Sequence, residues 1–228
     1  MNNYSLSILH YQFSPFSLKI THMDLILFGI QGSGKGTQAK KLAAEFGYDI
    51  FEAGGELRKI AALARRSGID AKKRSSREDG SGSELGKTVK SFIDQGELVP
   101  FEIIMKVLEE AVKARPHDQK ILFDGIPRDL DQKNSFDEIM NRLGRDFHCI
   151  QITLDPEEGV QRILKRAEIE GRADDASEET IRKRMGTFLE KTMPVIQGYE
   201  KAGKVTHVDG QGSVEEIYER VTTAVQSN

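Results

Sequence analysis

Apolar and polar positions along the chain follow two alternating rhythms. Five short, nearly continuous apolar runs are bounded by glycine, charge or helix signals: Asp24 to Gly29, Tyr48 to Phe51, Lys120 to Asp124, His148 to Leu154 and Lys204 to Val208. Runs of that kind mark strands buried on both faces. Between them the period becomes helical. Phe101, Ile104, Met105, Leu108 and Val112 stand at i, i+3, i+4, i+7 and i+11, on one helix face. The alternation predicts βαβ units with right-handed crossovers, hence an α/β fold with a parallel sheet covered on both faces. Ligands of such a sheet gather at the carboxyl ends of its strands. The long helical pattern from Glu178 to Gly203 contains Pro194, which predicts a kink or break there.

Two stretches interrupt the rhythm. Ala64 to Gly82 carries Arg65, Arg66, Lys72, Lys73, Arg74 and Arg77 among Ser, Gly and acids, the composition of a surface loop. Glu170 to Ser177 is short and polar between two helical patterns. Residues 1–22 show neither packing periodicity nor the basic start and compact apolar segment of a signal peptide. They are expected to be a loose extension, or to lie upstream of a true start at Met23. Residues 23–228 are expected to form a single domain.

Composition narrows the classes. At 228 residues, 38% hydrophobic and 30% charged, the chain suits one globular core rather than a disordered or membrane protein. A net charge of −3 argues against general nucleic-acid binding. The one cysteine, Cys149, cannot form an internal disulfide, so a reducing cytoplasmic location is the default. No apolar run reaches the roughly 18 residues of a membrane span.

The sharpest chemical signal is Gly29-Ile-Gln-Gly-Ser-Gly-Lys-Gly-Thr37, directly after the first strand and before a helix beginning near Lys35. Glycines at 29, 32, 34 and 36 let backbone N–H groups converge on phosphate oxygens, and the helix N-terminus adds its positive dipole end. Lys35 can reach β/γ-phosphates, and a hydroxyl at the helix start can face a metal. The general pattern places Ser or Thr right after the lysine; here Gly36 intervenes and Thr37 follows.

Phosphoryl transfer needs two anions held in line and their shifting charge neutralised. A chain that does this should show scattered arginines and one acidic metal partner. Arg58 follows the second strand, and Asp124-Gly-Ile-Pro-Arg128 closes the third. Arg162 and Arg166 lie one helical turn apart, Arg172 precedes Asp174 and Asp175, and Arg184 follows one helix later. Asp124 at a strand end can orient magnesium-bound water.

These spacings resemble the adenylate kinase family from Met23 nearly to the C-terminus. Gly-Ser-Gly-Lys-Gly-Thr-Gln looks like its phosphate loop, with Gln31 where proline is usual, and Asp124-Gly-Ile-Pro-Arg128 matches its Asp-Gly-Phe-Pro-Arg. The resemblance implies a P-loop nucleotide-hydrolase-like core with five parallel strands. It adds a monophosphate-binding lobe at about 52–95 and a short lid at about 167–176, without structural zinc. It implies transfer from ATP, with Mg2+, to a nucleoside monophosphate by a monomer. The ATP side would comprise Gly32, Ser33, Gly34, Lys35, Gly36, Thr37, Arg162, Arg166 and Gly212, the last in the loop opened by Val208-Asp209-Gly210. The acceptor side would comprise Ala53, Arg58, Glu97, Leu98, Val99, Gly125, Arg128, Gln132, Arg172 and Arg184. Catalysis would fall to Lys35, Arg128, Arg162, Arg166, Arg172 and Arg184, and the metal to Thr37 and Asp124, largely through water.

After the second strand the family usually reads Ser-Thr-Gly-Asp-Leu-Leu-Arg, whereas Glu52-Ala53-Gly54-Gly55-Glu56-Leu57-Arg58 stands here. Ala53 replaces the threonine that helps recognise adenine, as in kinases acting on UMP and CMP. Gln132 can offer a donor and an acceptor to an adenine edge, so AMP is favoured, although Asp129 is also unusual. A pyrimidine monophosphate kinase and a non-catalytic nucleotide-binding protein are the alternatives.

Overall fold

The computed structural model describes residues 23–67, 84–94, 99–170 and 177–227. Five strands, β1 (Asp24–Phe28), β2 (Asp49–Glu52), β3 (Ile121–Asp124), β4 (Phe147–Thr153) and β5 (Val205–Asp209), form one all-parallel sheet in the order β2-β3-β1-β4-β5. Each lies within two residues of an apolar run read from the sequence. Every residue of the central strand β1 is buried, as expected of a strand with helices on both faces.

The side-chain period of two divides the core cleanly. Ile26, Phe28, Phe51, Ile121, Phe123, Phe147 and Cys149 face one way. They meet the apolar faces of α4 (Phe101–Lys113), α5 (Leu130–Arg142) and α8 (Met193–Lys201). Leu25, Leu27, Leu122, Ile150 and Ile152 face the other way, against α1 (Lys35–Phe46) and α9 (Val214–Ser227). On the first face the rings of Phe51, Phe123, Phe136, Phe147 and Tyr199 form a chain with centroids 5.0–5.8 Å apart. This chain ties β2, β3, α5, β4 and α8 into one body. Truncating a central member such as Phe123 should cost about 3–5 kcal/mol.

The expected face of α4 is present, with Met105, Leu108 and Val112 buried; Val107 is buried as well. The interruption at Pro194 takes a specific form. A π-turn spans Phe188–Thr192, in which the Met193 N–H bonds back to the Phe188 carbonyl, and Pro194 sits in the first turn of α8, where its missing N–H costs little.

Helix α2 (Ala53–Ser67) runs four residues into the stretch read as a loop, because Ala61 to Arg66 are strong helix formers. The rest of that stretch to Gly82 lies outside the described residues, as does the 1–22 segment. Helix α3 (Glu84–Asp94) buries Val89. Helices α6 (Pro156–Glu170) and α7 (Glu178–Thr187) form a third small core through Val160, Ile163, Ile181 and Met185. The stretch from 167 expected as lid begins as the last turn of α6; residues 171–176 lie outside the described residues. Among the described residues, no helix is long and apolar enough to cross a membrane.

Candidate active site

The loop from Gly29 to Gly34 leaves the carboxyl end of β1 and feeds α1. Its backbone is pressed against α6: at Gly32, φ +83°, an added Cβ would lie 2.5 Å from the Gly159 carbonyl oxygen. Only glycine fits there. Gly34, φ +87°, forms the N-cap of α1 and supplies no side chain to occupy the helix N–H groups. Ser33 is fully buried, and its hydroxyl has no hydrogen-bond partner among the described residues. An orphan donor in a loop of converging N–H groups suits an anion. Gly36 and Thr37 are exposed in the first turn.

Lys35 is half-buried and folds back over this loop, donating to the Gly29 carbonyl at 2.6 Å and the Ile30 carbonyl at 3.2 Å. Burial lowers its proton affinity; nearby Asp124 opposes that shift and Arg128 adds to it. Asp124 closes β3 beside β1, paired in register with Leu27 and Glu52. Burial raises its pKa; Lys35 opposes this, Glu52 adds to it and Arg128 opposes it. Lys35, Asp124 and Arg128 therefore share one electrostatic environment at the carboxyl edge of the sheet.

Gly125, at φ +76°, and a cis Ile126–Pro127 bond then turn the chain, leaving Arg128 exposed with its Nε donating to the Gly125 carbonyl at 2.6 Å. The Arg128 backbone is held from both sides. Its N–H donates to Gln132 Oε1 at 3.0 Å, and its carbonyl accepts from the Thr192 hydroxyl at 2.8 Å. Asp129 is the N-cap of α5 and accepts from the Gln132 N–H at 2.8 Å, which accounts for a residue the sequence pattern left unexplained. Gln132 thus does local capping work with its carbonyl end.

On the acceptor side, Ala53 opens α2 and packs against the larger core. Arg58, one turn on, is exposed and donates to Glu52 at 3.5 Å. Val99 is half-buried just before Pro100, the N-cap of α4. Glu97, Leu98 and Arg172 lie outside the described residues, with Asp174 and Asp175.

On the donor side, Arg162 of α6 pairs with Glu158 and donates to the Gly210 carbonyl at 3.0 Å, so it holds the loop that follows β5. Arg166 is exposed on α6, and Arg184 is half-buried on α7. Gly212, φ +108°, lies in the same loop, where an added Cβ would meet Glu216 Oε2 at 2.7 Å.

Two residues that sequence reasoning passed over hold this architecture. Arg220 of α9 donates to the carbonyls of Asp209 and Gln211 at 2.9 and 2.6 Å, gripping the post-β5 loop on either side of the Gly210 carbonyl that Arg162 holds. Thr192, in the π-turn, reaches Arg128 across 64 positions of sequence. No local pattern announces either contact.

The adenylate kinase family model matches residues 74–204, more than half of the chain. The adenylate kinase of Phocaeicola vulgatus is 33% identical over 205 residues, covering 90% of this chain and 98% of its own. That of Thermus thermophilus is 36% identical over 202 residues, covering 88% and 96%. Adenylate kinase isoenzyme 1 of Homo sapiens is 36% identical over 207 residues, covering 90% and 95%. With a phosphate-type loop, a five-stranded parallel sheet and these likenesses over its length, the chain belongs to the adenylate kinase family.

Proposed function

We propose that the protein catalyses ATP + AMP = 2 ADP by direct in-line transfer, with the site residues in the roles set out below. Family membership makes it a phosphotransferase working on ATP and AMP. The observation that carries the site reading is the convergence of Lys35, Asp124 and Arg128 at the carboxyl edge of the sheet, beside the open N-terminus of α1.

An oxygen of the AMP phosphate forms a bond to the γ-phosphorus of ATP as the bond from that phosphorus to the β–γ bridging oxygen breaks, and both products are ADP. The attacking oxygen is already anionic near pH 7, so no general base is needed. Backbone N–H groups from Gly32 to Thr37, with Lys35, hold the donor phosphates. Arg58 and Arg128 clamp the acceptor phosphate, a task suited to a planar fork of donors. Arg162, Arg166, Arg172 and Arg184 neutralise charge as it moves. Ala53, Glu97, Leu98, Val99, Gly125 and Gln132 line the acceptor nucleoside, and Gly212 with its loop lines the ATP base.

Adenylate kinases use Mg2+ with ATP. The oxygen donors here fit a hard cation: an added Cβ on Gly36 would stand 4.0 Å from Asp124 Oδ2, so the carboxylate faces the first turn that carries Thr37. Thr37 and Asp124 would hold the ion, largely through water; when bound it neutralises phosphate charge.

The lobe at 52–95 and the lid at 167–176 are taken to close over the two nucleotides and exclude water. The protein is read as a cytoplasmic monomer acting on free nucleotides, in keeping with its net charge of −3 and single cysteine.

An ATP-dependent assay across AMP, GMP, CMP and UMP tests the acceptor. AMP should exceed each rival by at least about tenfold in kcat/KM. Preferential turnover of CMP or UMP would follow if Ala53, which offers no hydroxyl, outweighed Gln132, and would overturn the AMP reading.

A further inference from the structure

We propose that Glu52 sets the affinity for the acceptor monophosphate by holding Arg58 in the acceptor-free protein, so that the phosphate must take the guanidinium from a resident carboxylate. The proposal rests on the reading that Arg58 meets the acceptor phosphate.

Glu52 is the last residue of β2, side by side in register with Asp124 on β3. Its carboxylate, although largely exposed, lies over the start of α2. Oε2 is 3.5 Å from Arg58 Nη2. An added Cβ on Gly54 would lie 3.2 Å from Oε1 and 3.2 Å from Arg58 Nη1, and one on Gly55 would lie 3.0 Å from Oε2. Gly54 and Gly55 therefore make the floor on which this carboxylate and guanidinium sit. Glu52 also reaches Asp124 electrostatically, adding to the burial that raises the Asp124 pKa. Arg58 and Asp124 are thus linked through the one side chain of Glu52.

The sequence sharpens the point. Where the family usually reads Ser-Thr-Gly-Asp, this chain has Glu52-Ala53-Gly54-Gly55. A carboxylate is missing at 55 and present at 52, and the structure lays the second over the position of the first. The two carry the same charge and crowd each other: an aspartate at 55 would bring its Cβ to 3.0 Å from Glu52 Oε2 and a second negative charge beside it, so the Glu52 side chain would have to shift.

Both partners are mostly exposed, so the pair itself is weak, and its effect belongs in binding rather than in stability. Removing it frees Arg58 and deletes a like charge beside the phosphate.

The test is steady-state kinetics on the full chain, varying AMP and ATP separately, with Glu52→Gln, Arg58→Ala and the double variant. Glu52→Gln should lower the KM for AMP by about twofold to tenfold, with the effect on KM rather than kcat and the KM for ATP unmoved. Arg58→Ala should raise the KM for AMP at least about tenfold, and in that background Glu52→Gln should lower it by clearly less than in the natural chain, since only the deleted like charge still acts. Gly55→Asp should raise the KM for AMP in the natural chain, and Glu52→Ser should relieve it. If Arg58→Ala raises the KM while Glu52→Gln leaves it unchanged or raises it, Glu52 does not compete with the acceptor and the proposal is wrong, although the acceptor site stands. If Arg58→Ala leaves the KM for AMP unchanged, the placement of the acceptor phosphate on Arg58 is wrong, and the proposal falls with it. Equal damage from Gly55→Asp with either residue at 52 would refute the exchange.

Discussion

The two ends of the sheet treat buried charge in opposite ways. At the amino end, Asp24 begins β1 at 1% exposure, and its carboxylate accepts from the Ile121 N–H at 2.8 Å and from Arg145 Nε and Nη2 at 2.7 Å each. Arg145 also donates to the carbonyls of His117 and Gln119. Every group in that cluster has a partner inside the protein, and it clamps β1, β3 and the turns before β3 and β4. At the carboxyl end of the same strands, Lys35 rests on two backbone carbonyls, and burial moves it and Asp124 toward their neutral forms. The Ser33 hydroxyl beside them is unpartnered among the described residues. A complete set of partners fixes structure; an incomplete one retains affinity for a ligand that would complete it.

The largest break in that comparison should come from Lys35→Met. Loss of a cation that meets the transferring phosphates should cost on the order of 10³ in rate, while the apolar replacement removes one buried charge and takes from Asp124 a cation that favours its ionised form, so the melting temperature should change by only a few degrees. A variant retaining more than about a tenth of wild-type kcat would place the donor site elsewhere. Asp24→Ala should do the reverse. Leaving Arg145 buried without its carboxylate costs about 3–5 kcal/mol, a fall of several degrees in melting temperature, and the kcat of the folded fraction should be unchanged. A large kcat effect at low temperature would show that the amino end is not merely structural. Arg128→Lys keeps charge and loses the planar fork. It should lower kcat/KM for AMP at least about a hundredfold with ATP affinity little changed. Normal turnover of AMP would reduce the strand-3 motif to a structural turn.

Legibility in the sequence follows the same division. The three inner strands were readable because they are buried almost throughout, and continuous apolar runs leave little ambiguity of element; the edge strands β2 and β5 are only partly buried and were marked by shorter runs between charge and glycine signals. The phosphate loop was readable because its glycines answer a local backbone need, Gly32 and Gly34 both standing at positive φ. What stayed hidden depends on contacts between distant segments. Thr192 grips Arg128 across 64 positions, Arg145 reaches Asp24 across 121, and Arg220 holds a loop from a helix that reads as ordinary amphipathic surface. Asp129 looked anomalous as chemistry and is explained by the first turn of α5. Glu52 looked like a missing serine; its meaning emerged only from where its oxygens lie. The π-turn was foreshadowed by Pro194, but a proline specifies the loss of one hydrogen bond, not how the helix absorbs it.

The smallest expected effect concerns His148, which sharpens the contrast because it is a buried ionisable group at the amino end of β4. It is the second residue of β4, in register with Leu25, at 8% exposure, with Nε2 2.9 Å from the Thr206 hydroxyl. Burial lowers its pKa from the usual 6.5; the positive charge of Lys204 adds to this and Asp146 opposes it. Below 6.5 the unfolded chain binds the proton more readily than the folded one, so stability falls as pH drops from 6.5 toward the lowered folded value. Above 6.5 both forms are neutral and the contribution is complete. Replacing His148 by Gln removes the titration. The melting temperature of the natural chain should therefore decline between pH 7 and pH 5 more than that of His148→Gln, by a few degrees at most, while the ratio of their kcat values stays flat across the range. Parallel melting curves would mean that His148 is hydrated enough to protonate in place. A kcat ratio that moved with pH would mean that charge at the amino end of β4 is felt at the site, and the separation between the two ends of the sheet would fail.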